Sequence, residues 1–424
     1  MRALLGAQMV NVLGGLLVGI LLAREVGVSG QGIIQVTVMI PPLLAMIFSV
    51  GGSGTVTYLR SQSVARDAIM GWIYGLSGVV LGASVLVMAG WPGLFKAAHE
   101  AHVPNWLLMA GALAASAQTL SSGVSAVLVA EHHARRVMFV TLVPRLTVMV
   151  GLIGLLIVGR LRLPNILAWY WASSVLSAFA SLLMVGELRG RWDGAVWSRA
   201  VRYGLRGHWG NLSQFLNYRV ALLLIGWTQP ARAAGWYWLA LTLSELLWYG
   251  PQAAAGAWLP QVASGTGSTA DAVKLVRTVG WVSVVLAGIG GLVAILVIPW
   301  VWGNAFDPAV GLLWALIPGV AVFAWAKVLA SDIAGRGHPE WGSVSSVFGI
   351  VFVAGLGWWV LSVGGIGALA LLQSAGYGIS TAVLVWAFLR CDRTLRVRDL
   401  FRWSPKEWLI VLGVRHDVSP EGTP

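Results

Sequence analysis

Apolar stretches of about 18 residues or more recur from one end of the chain to the other, parted by short polar links. The first six predicted spans lie at about 4–23, 33–52, 70–90, 105–129, 137–159 and 165–186. Six more follow at about 208–228, 235–258, 278–302, 309–330, 343–363 and 365–389. The pattern predicts an all-α polytopic membrane protein of about twelve transmembrane helices in two six-helix bundles. The longest internal hydrophilic link, Glu187 to Gly207, sets an N-terminal lobe over 1–200 and a C-terminal lobe over 201–390, with a cytoplasmic tail over 391–424. The halves echo each other weakly. Asn11 early in span 1 matches Asn211 early in span 7, and AEHHARR and AGRGHPEW close spans 4 and 10. Parallel repeats of this kind place a site between two bundles; coincidence among twelve spans is the competing account.

Polar positions inside the spans carry the candidate chemistry. At 100° per residue, His208, Asn211, Gln214, Tyr218 and Arg219 share one stripe of span 7, opposite Leu212, Leu216, Val220, Leu223 and Leu224. A stripe this wide should face a cavity or another helix, not lipid. Span 8 repeats the pattern with Trp238, Thr242, Glu245, Tyr249 and Gln252. Arg219 and Glu245 both fall near the expected midplane. They read either as a pair that neutralises itself and fixes packing, or as a cavity-lining cation beside a titratable acid. Arg145 follows Pro144, which should kink span 5, and lies too deep to reach water easily. Arg24 closes span 1, as an ordinary interfacial arginine or as the rim of the same cavity. Asn11, Gln118 and Gln373 read as glue between helices.

Composition changes the picture in one respect: it leaves no soluble domain. The chain is 58% hydrophobic and only 10% charged, against about a quarter charged in soluble proteins. The net charge of +12 is the excess expected of inner loops, and no basic run interleaved with aromatics points to nucleic acid. With the N-terminus inside, about 21 of the 28 Lys and Arg fall on the cytoplasmic side, Lys327 and Arg336 among them. The first span lacks an Ala-x-Ala cleavage pattern and reads as retained. One cysteine, Cys391, excludes an internal disulfide framework. Many of the 24 tryptophans sit near span ends, as an interfacial belt requires, while others are mid-span. No phosphate-binding loop, HExxH or plausible metal cluster is present, so no cofactor or metal is expected. The expected outer loops hold only Glu25, Glu100 and Asp307, which argues against an integral enzyme.

The stretch YGLRGHWGNLSQFLNYRVALLLIGW, followed by AAGWYWLALTLSELLWYGPQ, resembles the bacterial oligosaccharide flippases, the polysaccharide-transporter branch of the MOP superfamily. The likeness rests on Tyr203–Gly204, His208–Asn211, Asn217–Tyr218–Arg219, Gly235–Tyr237 and Glu245–Trp248. It extends to Pro318–Gly319, Lys327 and Gly335–Pro339, to Gly364, Gly367 and Tyr377, and to Ala23, Arg24, Gly27, Gly30 and Gly32. One departure is Ala221, where the family often has an acid two residues after the Asn-Tyr-Arg element.

What the resemblance implies is a MATE/MOP-like fold and transport of a lipid-linked oligosaccharide, usually on undecaprenyl pyrophosphate, to the outer leaflet of the bacterial inner membrane. Substrate contacts would be Arg219, Arg145, Arg24, His208, Asn211, Gln214, Tyr218 and Tyr249, with Glu245 for coupling. Guanidinium suits pyrophosphate because its donors fork onto two oxygens and it stays charged when desolvated. Expected partners are that substrate, membrane lipids, and a polysaccharide polymerase or glycosyltransferases. Two alternatives stay open: a MATE-like cation or drug antiporter, and a non-transporting scaffold for polysaccharide assembly. The tail FRWSPKEWLIVLG reads as a helix on the inner membrane surface or as a disordered basic tail.

Overall fold

A computed structural model of the chain describes residues 2–186, 188–392 and 394–402. Among these, the chain forms α-helices joined by short turns. Helices α1 (Arg2–Phe48) and α14 (Glu340–Cys391) have 47 and 52 residues, where one crossing needs about 20. Each is two spans joined at a single glycine, Gly27 with φ 67° and Gly365 with φ 66°. Glycine enters this region at little cost and side chains do not, so the helix turns without a loop. The other crossings are α3 (Arg66–Gly90), α5 and α6 (Asn105–Met109, Gly111–Ala130), α7 (Ala134–Ile157) and α8 (Leu163–Val185). Then come α9 (Gly194–Thr228), α10 and α11 (Ala231–Glu245, Tyr249–Ala263), α12 (Thr269–Trp302) and α13 (Pro308–Gly335). Short helices α2 (Gly52–Ser61), α4 (Lys96–Glu100) and α15 (Val397–Phe401) complete the set. Eight of these helices are long and apolar enough to cross a membrane by themselves. Helices α10 and α11, of 15 residues each, are too short to cross by themselves, and α9, which carries a polar stripe, is also outside that set.

Packing divides the chain into two compact units. The first is Met1–Trp238 with Val297–Pro308; the second is Leu239–Leu296 with the described part of Ala309–Pro424. The first therefore includes α9, which the sequence division at residue 200 assigned to the second lobe.

In the first unit, the polar link expected to run to Gly207 ends at Asp193. Its carboxylate caps α9, accepting from the Ala195 and Val196 N–H groups at 3.0 and 3.1 Å. The stretch WSRAVRYGLRG is polar on average but amphipathic. Val196, Ala200, Gly204 and His208 recur every four residues and are buried, while Arg199 and Arg202 face out.

Mid-span tryptophans also have a packing explanation. A Cβ on Gly151 of α7 would lie 1.7 Å from the Trp169 ring of α8, and Trp169 Nε1 donates to the Thr147 carbonyl at 3.0 Å. Trp171 repeats the arrangement, its ring over Gly111 and its Nε1 on the Leu107 carbonyl at 3.0 Å. A bare glycine uncovers the carbonyl four residues earlier, and the indole fills the gap while satisfying its own donor. Gly151→Ala is accordingly expected to cost about 1–3 kcal/mol through overpacking. Gly154→Ala, whose new methyl meets nothing within 4 Å, should be neutral. Equal melting temperatures for the two variants in detergent would show that the Trp169 contact does not hold α7 to α8.

In the second unit, α13 passes through Pro318, and Ser374 of α14 bonds the backbone on either side of it. Its hydroxyl donates to the Ala315 carbonyl at 2.6 Å and accepts from the Gly319 N–H at 3.2 Å. Helix α13 runs to Gly335, five residues past its expected end. Lys327 lies within the helix, as it does in the expected span 309–330. Asp332, fully buried, joins Glu245 as an acid inside a span. Helix α15 is docked on this unit: Leu400 is buried, and the Leu400 and Phe401 carbonyls accept from Trp325 and Trp281 at 3.3 and 3.2 Å. Most of the tail expected to lie on the membrane surface, residues 403–424, falls outside the described residues.

Candidate functional site

The stripe on α9 opens onto a cavity of about 510 Å³ inside the first unit. Helix α9 contributes His208, Asn211, Gln214, Phe215 and Tyr218 to its wall. The second half of α1 contributes Pro42, Ala45 and Met46, and the turn into α2 gives Ser49, Gly51, Gly52 and Ser53. Helix α6 supplies Gln118, Thr119 and Ser122. Four of the residues expected on one face from helical spacing thus share one cavity.

Two glycines set the position of α9 here. A Cβ on Gly204 would lie 2.1 Å from the Val50 carbonyl oxygen, and one on Gly51 would lie 2.6 Å from that of Gly204. Gly51 itself has φ 73°, so the corner needs glycine twice, for space and for backbone conformation. One turn further along α9, His208 Nδ1 accepts the Gly51 N–H at 3.2 Å. That bond puts the imidazole proton on Nε2, and the 6% exposure of His208 is its face on the cavity.

The amides of Gln118, Asn211 and Gln214 make no hydrogen bond to any described residue, so each offers a donor and an acceptor. The Thr119 and Ser122 hydroxyls donate within their own helix, to the Ala115 and Thr119 carbonyls at 3.0 Å each. Their remaining lone pairs face outward as acceptors. Gln118, read from sequence as helix glue, is instead a wall residue. Ser49, Ser53 and Ser122 were not singled out at all; serines are frequent in membrane helices and carry no periodic signal of their own.

The expected cations are elsewhere. Arg145 is the twelfth of 24 residues of α7. Its stem lies across Gly14 of α1, where a Cβ would be 3.1 Å from Cγ, and its guanidinium lies beside Gly15 at 3.4–3.6 Å. Helix α7 continues through Pro144. Arg219 follows Tyr218 on α9 and is half-buried, but is not part of the cavity wall. Arg24 is committed to the end of α12: Nε donates to the Val301 carbonyl at 2.8 Å and Nη2 to that of Trp300 at 3.1 Å. A cation over the last carbonyls of a helix is favourable both as a cap and against the helix dipole. The Asn11 side chain lies outside those described.

Glu245 and Tyr249 belong to the second unit, flanking the tight turn Leu246–Trp248. There the structure shows a centre that sequence reasoning missed. The Lys327 ammonium lies 4.7 Å from the Trp248 ring centroid and 5.4 Å from that of Phe323. Tyr377 packs edge-on to Trp248 at 5.3 Å. The aromatic faces supply cation–π attraction to the ammonium. The signal was present: in AVFAWAKVLA, Lys327 has a full apolar turn on both sides.

Comparison with known proteins gives fold but no sequence family. No protein-family model matches the chain, and no curated protein matches it. Among solved structures, it is similar to the lipid II flippase MurJ in an inward closed conformation, with a TM-score of 0.75 at 12% identity over 96% of this chain and 94% of that one. It is also similar to an inward-facing multidrug resistance MATE family transporter of the MOP superfamily, with a TM-score of 0.69 at 14% identity over 91% and 95%. A MOP superfamily transporter from Pyrococcus furiosus, described as having a binding pocket of reversed polarity, gives 0.53 at 13% identity over 91% and 92%. These likenesses establish an all-helical, polytopic membrane fold of the MOP type, whose solved examples here are transporters and not enzymes.

Proposed function

We propose that the chain is a transporter that moves a lipid-linked oligosaccharide from the inner to the outer leaflet of a bacterial cell membrane by alternating access. The carrier would be undecaprenyl pyrophosphate, both termini would be cytoplasmic, and the lobes over 1–200 and 201–390 would be the moving parts. The observation that carries this reading is the polar cavity on α9, built from amides and hydroxyls in a chain that is otherwise apolar. Polar groups within a membrane bundle are costly and mark substrate paths. The fold likeness to a lipid II flippase supports the same class of cargo. Arg219 and Arg145 would meet the pyrophosphate, while Arg24 anchors α12. Glu245, with Lys327, is the coupling candidate.

The test is a reconstituted flipping assay. Purified protein is placed in vesicles carrying a fluorescent polyprenyl pyrophosphate disaccharide, and a membrane-impermeant quencher reports transfer between leaflets. Transfer well above that in protein-free vesicles is expected. Equal rates would end the reading, and uptake of a cationic dye by the same vesicles would point to the drug-antiporter alternative.

A further inference from the structure

We infer that the cavity on α9 is a sugar subsite selective for uncharged glycans. The inference rests on the transport reading above and names the part of the substrate that enters this cavity. Among the described residues its wall contains no Asp, Glu, Lys or Arg, and the titratable side chains on it are His208 and Tyr218. His208 Nδ1 is taken as the acceptor of the Gly51 N–H at 3.2 Å. A tyrosine hydroxyl is neutral near pH 7. What the wall does offer is paired donors and acceptors. The amides of Gln118, Asn211 and Gln214 carry both, and the His208 Nε2–H adds a donor. A sugar hydroxyl is likewise donor and acceptor at once, so amide groups match it better than a charged side chain does. The Phe215 and Tyr218 rings add apolar faces for the C–H side of a pyranose. At about 510 Å³ the space is of small-ligand size.

A carboxylate or a second phosphate on the glycan would enter this cavity without a counter-charge. Burying an ionised group unpaired is strongly unfavourable. The cavity therefore admits hexoses and N-acetylhexosamines and resists uronic acids.

The experiment compares two fluorescent polyprenyl pyrophosphate disaccharides that differ only in the terminal residue, glucose or glucuronic acid, in vesicles with the wild-type protein. The glucose form is expected to cross on the order of tenfold faster. Gln214→Arg, which places a cation on the α9 wall, should narrow or reverse the preference. Ser122→Arg does the same from α6, so the test survives if one variant fails to fold. Equal wild-type rates for the two lipids would overturn the selectivity while leaving transport intact. A preference unchanged in both arginine variants would remove it from this cavity. If neither lipid crosses, the transport reading fails and takes the inference with it.

Discussion

Arg336→Met is expected to lower the stability of the second unit by about 3 kcal/mol, the low end of the range for breaking a buried ion pair. Its partner Asp332 is fully buried. The carboxylate takes Arg336 Nε on Oδ2 and the Trp258 Nε1–H on Oδ1 at 2.9 Å. Arg336 also reaches Thr269 Oγ1 at 3.3 Å and lies over the Phe388 ring at 5.6 Å. One ion pair thus joins α13 to α11, to the start of α12 and to the second half of α14. Methionine fills most of the arginine's volume but leaves the carboxylate with the indole N–H alone. The low end applies because the arginine side chain is a quarter exposed, so water offsets part of the loss. The double variant Asp332→Leu/Arg336→Met removes both charges and should recover much of the stability, since the penalty is the orphaned charge and not the lost attraction. Melting in detergent decides the point. An Arg336→Met protein that melts with the wild type would mean that water reaches Asp332 freely.

The sequence was most legible where one periodicity ruled. Twelve crossings followed from apolar run length alone, and the α9 face from His208 to Tyr218 followed from 3.6-residue spacing. Both are local properties that survive into the folded state. Boundaries were read less well where average polarity hid an amphipathic face. The 194–207 stretch of α9 is rich in arginine, yet its Val196–Ala200–Gly204 edge packs inward. Asp332 lay just beyond the expected span 309–330, whereas its ion pair with Arg336 keeps it inside α13. The far wall of the cavity was not legible at all. Gln118 and Ser122 lie about 90 residues before Asn211 in the chain, and only tertiary packing brings them together. The Gly–Trp stitches are of the same kind: nothing in the spacing of Gly151 and Trp169 announces that one covers the other.

Under the proposed transport function the contacts divide in two. Within the first unit the described wall of the cavity is polar without a formal charge, and Arg145 packs against Gly14 and Gly15 of α1. A lipid-linked oligosaccharide has a similar division, with a hydroxyl-rich glycan at one end of a charged linkage. A cavity that bound both parts through cations would hold the pyrophosphate tightly and release it slowly. Separate, individually weak contacts favour turnover, because a transporter must bind its cargo no more tightly in one state than it can release it in the next.

Arg145→Met should separate function from stability in a way that few substitutions do. A cation at the centre of a membrane helix costs about 2.5–3.5 kcal/mol on insertion scales, and Arg145 is the twelfth of 24 residues of α7. No hydrogen bond or ion pair to it occurs among the described residues; the contacts that hold it are its stem on Gly14 and its guanidinium beside Gly15. Methionine keeps the stem contact and removes the charge. The variant is therefore expected to melt at or above the wild-type temperature while its flipping rate falls on the order of 10–100-fold, the trade-off typical of a group kept for activity at a cost in stability. Arg145→Lys keeps a point charge but loses the planar fork that engages two phosphate oxygens, so its rate should fall between the two. Two results would defeat the assignment. Wild-type transport by Arg145→Met would show that the guanidinium does not meet the cargo, and a large drop in melting temperature would show that α7 and α1 need it to pack.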